Sequence, residues 1–473
     1  MTSLVYLKSK KSGVIYVYVN EKSERDGKYH RRCIGHLDTF GGEIVPNRKR
    51  ELSPQPRVRS YGINAILRKI SDEIGLTESL QVVFIDTWDS LLSLAFYCLT
   101  ERGPLTKLEQ WMEYNETPRV IPLTNSNVAG ILKLVSSNYI EAFFRVWKKR
   151  LIDENFVLTL FSSNRNAEVA ESDLDAMFPT NVEICYGKNS LLPISYVINK
   201  SSYDVFSLSN KPDWIKKNNV LYFIDESLDD VIGMDSLLAN VRCVVSLPNK
   251  NPLFKEIVSK NVIEKSFSDK VIKTVRYRIR GKMVFVHIMY DSNEAEAKMY
   301  RFLDIINTCR LELDHKRYVE PHVPIYHKYF SVVDGNVASL SNIDEESSCL
   351  GFRTILSNNM IAADKAIKWF LKCRHAKNLF NGIYNDHDIT RMKFYLQSNL
   401  ESRIFVQFLA LILCSALERK IEEKGLKESV EDVLTLVKEL VRVDIPGRKR
   451  PMMSMMSVRQ RNIMELLLCD DAK

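Results

Sequence analysis

The segment VLYFIDESLDD, residues 220–230, carries a short apolar, β-prone run straight into Asp225. A buried strand that ends in aspartate can hold a divalent metal or a phosphoryl group at the rim of a parallel sheet. Mg²⁺ takes about six oxygen ligands, so one carboxylate binds it weakly and Asp225 needs partners. Asp229 and Asp230 read instead as the acidic first turn of a helix, where the dipole favours them. No Ser-His-Asp arrangement, Gly-rich phosphate loop or HExxH stretch offers a different chemistry. His315, His322 and His327 share one polar stretch that reads as a connection rather than a metal site.

Charge supplies the second kind of candidate. The net charge is +8, and residues 1–60 hold 13 Lys/Arg against 6 Asp/Glu, a surplus of 7 that is nearly the whole excess. Arg48, Lys49, Arg50, Arg57 and Arg59 close this segment, and Arg448, Lys449 and Arg450 form a second patch near the C-terminus. Basic ends around a near-neutral middle suit a polyanion, most simply DNA. The nine cysteines are scattered singly with no CxxC pair, the pattern of free thiols in a reducing, cytoplasmic protein.

At 473 residues the chain exceeds one ordinary core, and 45% hydrophobic with 27% charged content describes a soluble globular protein. Met1–Lys11 is short, strand-like and basic, unlike a signal peptide. The longest apolar run, IFVQFLALILCSAL (404–417), is too short to span a bilayer and reads as a buried helix. Patterning predicts a multidomain α/β protein. A small basic β module covers 1–55, with LVYLK and GVIYVYVNE as a hairpin, and a helical domain covers 60–150 with Asn127 and Asn138 as N-caps. Strands and helices alternate over 151–265, a β-rich region fills 266–350 with a long hairpin turning at Arg280-Gly281, and the core resumes over 351–425. Helices are expected at 359–381, 399–424, 428–442 and 457–468, the last two within a C-terminal region 426–473.

The order of these parts resembles the DDE transposases of bacterial insertion sequences, in the branch with a β-rich insertion. The likeness runs through RRCIGHLDTFGGEIVPN, YGINAILRKISDEIGL, LLSLAFYCLTERGPLTKLEQWMEYNETP, IEAFFRVWKKR, GKNSLLPISYVI, VLYFID, GFRTILSN and ESRIFVQFLALIL. The resemblance implies a ribonuclease H-like core interrupted by that insertion. It also implies two aspartates and a glutamate holding two Mg²⁺ ions for in-line attack on DNA, with terminal inverted repeats as the DNA partner.

Residue by residue, the second aspartate of that pattern falls on Asp225. The first falls on Val157, in FVLTLFSSN, and the glutamate of a helical signature falls on Lys377, with Phe370, Cys373 and Tyr384 at its other places. A lysine ammonium ~4 Å from Asp225 would attract it by about 4 kcal/mol gross at an effective dielectric near 20. It would also repel Mg²⁺. The expectation is therefore an ion pair in place of metal, with no cofactor and no cleavage or strand transfer. Restoring both acids, Val157→Asp with Lys377→Glu, is expected to recover Mg²⁺ affinity. Two other readings stand beside this one. Displaced carboxylates (Asp153, Glu154, Asp173, Asp175, Asp386 or Asp388) would keep an active transposase, and a non-catalytic regulator would join a related transposase or a second copy of itself.

Overall fold

The computed structural model describes residues 3–468 apart from 10–13, 23–28, 38–43, 47–55, 163–180, 200–214, 216–219, 226–240, 262–269 and 382–395, and positions 102, 154, 250, 280, 334–335, 340–341, 446–447 and 449. Strands β1 (Ser3–Lys8), β2 (Ile15–Lys22), β3 (Tyr29–Leu37) and β4 (Ile44–Pro46) form a four-stranded antiparallel meander, in which β1 and β2 make the expected hairpin. A single strand, β5 (Arg57–Ser60), leads into six helices: α1 (Gly62–Glu73), α2 (Leu76–Val83), α3 (Trp88–Thr100), α4 (Leu108–Glu113), α5 (Asn125–Leu134) and α6 (Ser137–Leu151). The cap of α5 is Thr124, not Asn127. The Thr124 side chain accepts from Asn127 N at 3.3 Å while Asn127 Oδ1 accepts from Thr124 N at 3.2 Å, a reciprocal box that places asparagine three residues into the helix. Likewise Ser136, rather than Asn138, precedes α6.

The central sheet is built from β6 (Phe156–Ser162), β7 (Asn181–Gly187), β8 (Pro193–Asn199), β9 (Val220–Ile224) and β10 (Cys243–Leu247), followed by helix α7 (Pro252–Lys260). Strands β6, β7 and β8 form an antiparallel meander, and β9 then β10 add in parallel on the other side of β6. Parallel strands are buried on both faces and so read as continuous apolar runs; β10 is buried at all five positions.

The next segment is the one expected as a β-rich insertion, 266–350. Its long hairpin, β11 (Lys270–Ile279) and β12 (Lys282–Asp291), turns where predicted, at Gly281 with φ +84°. Both strands belong to the central sheet. After them come a 23-residue helix α8 (Ser292–Asp314), α9 (Val323–Tyr329), a hairpin of β13 (Phe330–Val333) and β14 (Asn336–Ser339), and α10 (Asn342–Ser348). Strand β15 (Phe352–Ser357) then inserts between β12 and β10, giving one eight-stranded sheet of order β11-β12-β15-β10-β9-β6-β7-β8.

The chain closes with α11 (Ala363–Asn381), α12 (Leu396–Glu423), α13 (Val430–Lys438), β16 (Val441–Asp444), β17 (Met452–Met453) and α14 (Val458–Leu468). Residues 441–442, expected to be helical, are strand because β16 pairs antiparallel with β5 (Val441↔Ser60 to Asp444↔Arg57). Nor do residues 60–150 pack alone. Their apolar side chains share one core with Phe405, Phe408, Leu409, Val433, Val437 and Ile463 of the C-terminal helices and with one face of the central sheet. The run 404–417 is the buried middle of α12. No helix among the described residues is long and apolar enough to cross a membrane.

Candidate functional site

Alternation along the strands decides which side chains share the layer of Asp225. Val157 and Thr159 of β6, Ile184 and Tyr186 of β7 and Phe223 of β9 are all buried. Of these, Val157, Ile184, Tyr186 and Phe223 join the core formed with α11 and α12, while Phe156, Leu158, Tyr222 and Ile224 point to the opposite layer with Phe254 and Ile257 of α7. Asp225, two positions after Phe223, follows the α11 side and is 5% exposed. Helix α11 turns Ala366, Trp369, Phe370, Cys373 and Ala376 to the sheet at helical spacing. It is tied to α12 by the ion pairs Lys368–Glu422 and Lys372–Glu418.

That stripe delivers Lys377 to the end of β9, where its Nζ donates to Asp225 Oδ2 at 2.7 Å. Other titratable groups buried in the sheet are shifted towards their neutral forms. Burial, with the neighbouring Cys373, Glu418 and Cys414 adding to it, holds the Tyr186 phenol well above its ordinary range, and burial pushes the Cys243 thiol up to about 12. Burial, followed by Glu183 and Cys185, likewise raises Tyr222. Tyr186 lies on the α11 face of the sheet and Tyr222 and Cys243 on the opposite face, and each stays neutral at physiological pH.

Val157 is not beside the pair. The parallel register sets Val157 against Leu221 and Leu160 against Ile224. Asp225 therefore lies level with position 161, four residues further along, roughly 13 Å at ~3.3 Å per residue. Val157 is fully buried in the same apolar layer, but from there an acid could not reach an ion held by Asp225. Of the helical signature, Phe370 and Cys373 are buried beside Lys377 on one face, and Tyr384 lies outside the described residues.

The two Mg²⁺ ions implied by the resemblance do not fit what surrounds Asp225 among the described residues, since an ammonium already occupies one carboxylate oxygen. Asp153 is buried for another reason. Its Oδ1 accepts from Asn189 N at 2.9 Å and its Oδ2 from Ser190 N at 3.3 Å, capping the turn between β7 and β8. A Cβ at Gly187 would come within 1.9 Å of Asp153 Oδ2, so glycine is needed there for close approach. Asp153→Ala and Gly187→Ala should each cost about 1–3 kcal/mol in urea denaturation, the first by removing and the second by displacing the charged acceptor of the Asn189 and Ser190 amides. A loss in neither variant would remove the capping role. Glu154, Asp173, Asp175, Asp229, Asp230, Asp386 and Asp388 lie outside the described residues.

The basic candidates converge in part. Arg57 opens β5 opposite Asp444, the last residue of β16, and Arg448 and Arg450 fall in sequence between that strand end and the start of β17. Arg57, Arg448 and Arg450 are exposed and make no ion pair among the described residues. Arg59 differs: it pairs with Asp444 at 3.6 Å, an internal contact of the sheet. Arg48, Lys49, Arg50 and Lys449 lie outside the described residues.

One group escaped sequence reasoning. Among the described residues, Cys309, Glu312 and His322 form the single set of three or more His, Cys, Asp or Glu side chains whose ligand atoms lie close enough to share an ion. The signal lay in a Cys-x-x-Glu spacing on one helix, with the histidine ten residues after the glutamate across a reversal. Comparison of the chain with family models, with curated proteins and with solved structures found no match.

Proposed function

We propose that this chain is a DNA-binding protein of the insertion-sequence transposase type whose cleavage and strand-transfer chemistry has been lost. The observation that carries the loss is the Lys377 ammonium seated on Asp225 Oδ2, where a metal ion would require further oxygen ligands. A mixed sheet with parallel strands β6, β9 and β10, and an acid at the carboxyl end of β9, is compatible with a ribonuclease H-like core. DNA binding is supported by Arg57 on one side and Arg448 and Arg450 on the other, nearly 400 residues apart in sequence, which share one end of the β5-β16-β17 sheet.

Duplex DNA carrying the flanking sequences of the gene, titrated at several salt concentrations, tests both halves. Affinity should fall steeply with salt, with a log–log slope of about −0.9 for each phosphate contacted. Replacing Arg57, Arg448 and Arg450 together with alanine should make that slope shallower by about 3. Absence of binding even at low salt would end the DNA-binding reading. Mg²⁺-dependent nicking of the same DNA would end the loss of chemistry and favour carboxylates displaced from the positions in the resemblance.

A further inference from the structure

Helix α8 places Cys309 and Glu312 three residues apart, hence on one face. The chain then reverses. Lys316 adopts φ +53°, Arg317 N donates to Glu312 O at 2.7 Å, and a 3₁₀ turn, Glu320–His322, returns His322 to that face. The sulfur, carboxylate oxygen and imidazole nitrogen all lie within 4.8 Å of one another. Glu312 Oε2 lies 2.8 Å from His322 Nδ1, and the Tyr326 hydroxyl donates to the same oxygen. Val319 N in turn donates to that hydroxyl at 3.2 Å, which fixes it in place.

We propose that Cys309, Glu312 and His322 form a binding site for a thiophilic divalent cation, Zn²⁺ being the natural occupant. The donor set decides the metal class. One sulfur, one imidazole nitrogen and one carboxylate oxygen suit zinc, whereas Mg²⁺ takes oxygen almost alone. Three protein ligands leave a fourth tetrahedral position for water.

The fit needs little motion. Tetrahedral zinc sets its ligand atoms about 3.5 Å apart, so the existing spread has to close by roughly 1 Å and the Glu312–His322 contact has to open slightly. Cys309 has no hydrogen bond among the described residues and is 0% exposed, within an apolar shell of Ile306, Leu313, Tyr329 and Phe330. Such a shell strengthens a metal–thiolate bond, and Tyr326 orients the carboxylate from behind as metal-site neighbours do. The His322 side chain, 24% exposed, leaves a path from solvent. On binding, the Cys309 sulfur forms the bond to zinc and its proton passes to water. The site is independent of the Asp225–Lys377 pair and of DNA binding.

The test is titration of the metal-free full-length chain with Co²⁺ as a spectroscopic probe. The expected result is one Co²⁺ per chain, with an ultraviolet thiolate-to-cobalt charge-transfer band that excess Zn²⁺ abolishes. Cys309→Ser should lose that band, and Tyr326→Phe should weaken binding about 10–100-fold through the carboxylate it orients. Because Cys309 is a core residue, the partly exposed His322→Asn serves as a second variant, expected to weaken Co²⁺ binding strongly while the circular dichroism stays that of the parent. Absence of the band in the folded parent would overturn the proposal and leave a hydrogen-bonded packing cluster. Its persistence in folded Cys309→Ser would overturn it by assigning the thiolate to another cysteine, and undiminished Co²⁺ affinity in His322→Asn would overturn it by removing the histidine from the ligand set.

Discussion

Lys377→Met should destabilise the fold by about 3 kcal/mol in urea denaturation, the usual cost of stripping the partner from a buried charge. The carboxylate left behind is 5% exposed, and the ammonium removed sits 2.7 Å from its oxygen. Lys377 itself is a quarter exposed, so the loss should lie at the lower end of what fully buried pairs show. Asp225→Asn with Lys377→Met removes both charges and should cost less than the two single changes added together, a coupling of about 1–3 kcal/mol. Additive costs would mean that the two side chains are neighbours without being energetic partners. The functional reading weakens with them, because an ammonium that contributes nothing could be displaced by a cation.

The second large effect is at Val157. Val157→Asp should cost about 4 kcal/mol or more at neutral pH, because it places a carboxylate at a fully buried position among apolar side chains. Combining it with Lys377→Glu should therefore give no Mg²⁺ affinity, contrary to what the sequence suggests, since the register sets position 157 four residues away from Asp225. The pH dependence has a definite sign. A buried aspartate is held neutral, with its folded-state value raised above the unfolded ~3.9. The folded variant then binds more protons than the unfolded chain in the window above ~4, so its deficit relative to the parent should shrink as pH falls through that window. A deficit that is constant with pH, or a Mg²⁺-dependent gain in melting temperature for the double variant, would mean that β6 is shifted along β9.

What the sequence made legible was local. The apolar run into Asp225, the alternation on both sides of Gly281 and the unbroken hydrophobicity of 404–417 each needed only their own residues to be read. Lys377 could be placed against Asp225 because a resemblance linked two distant segments, and α11 carries it there. That same resemblance gave Val157 a place along β6, but no parallel register. Register depends on how the chain returns from β8 to β9, which no local pattern encodes. The strand β16 was hidden because VKELVRVD continues the helical period of α13. Only its pairing with β5, nearly 400 residues away, fixes it as strand. Cys309, Glu312 and His322 were missed because the reversal at Lys316 that gathers them gives no signal in composition.

The pairing of β5 with β16 also constrains how the molecule comes into being. Helix α1, which β5 introduces, packs against α12, α13 and α14, so the helical layer lacks part of its core until the last segments have left the ribosome. At roughly 5–20 residues per second, synthesis leaves the early apolar faces waiting for tens of seconds. Contacts this distant in sequence also close slowly once available. A message truncated before codon 441 would yield a chain in which β5 lacks its partner β16 and α1 lacks the cover of α14.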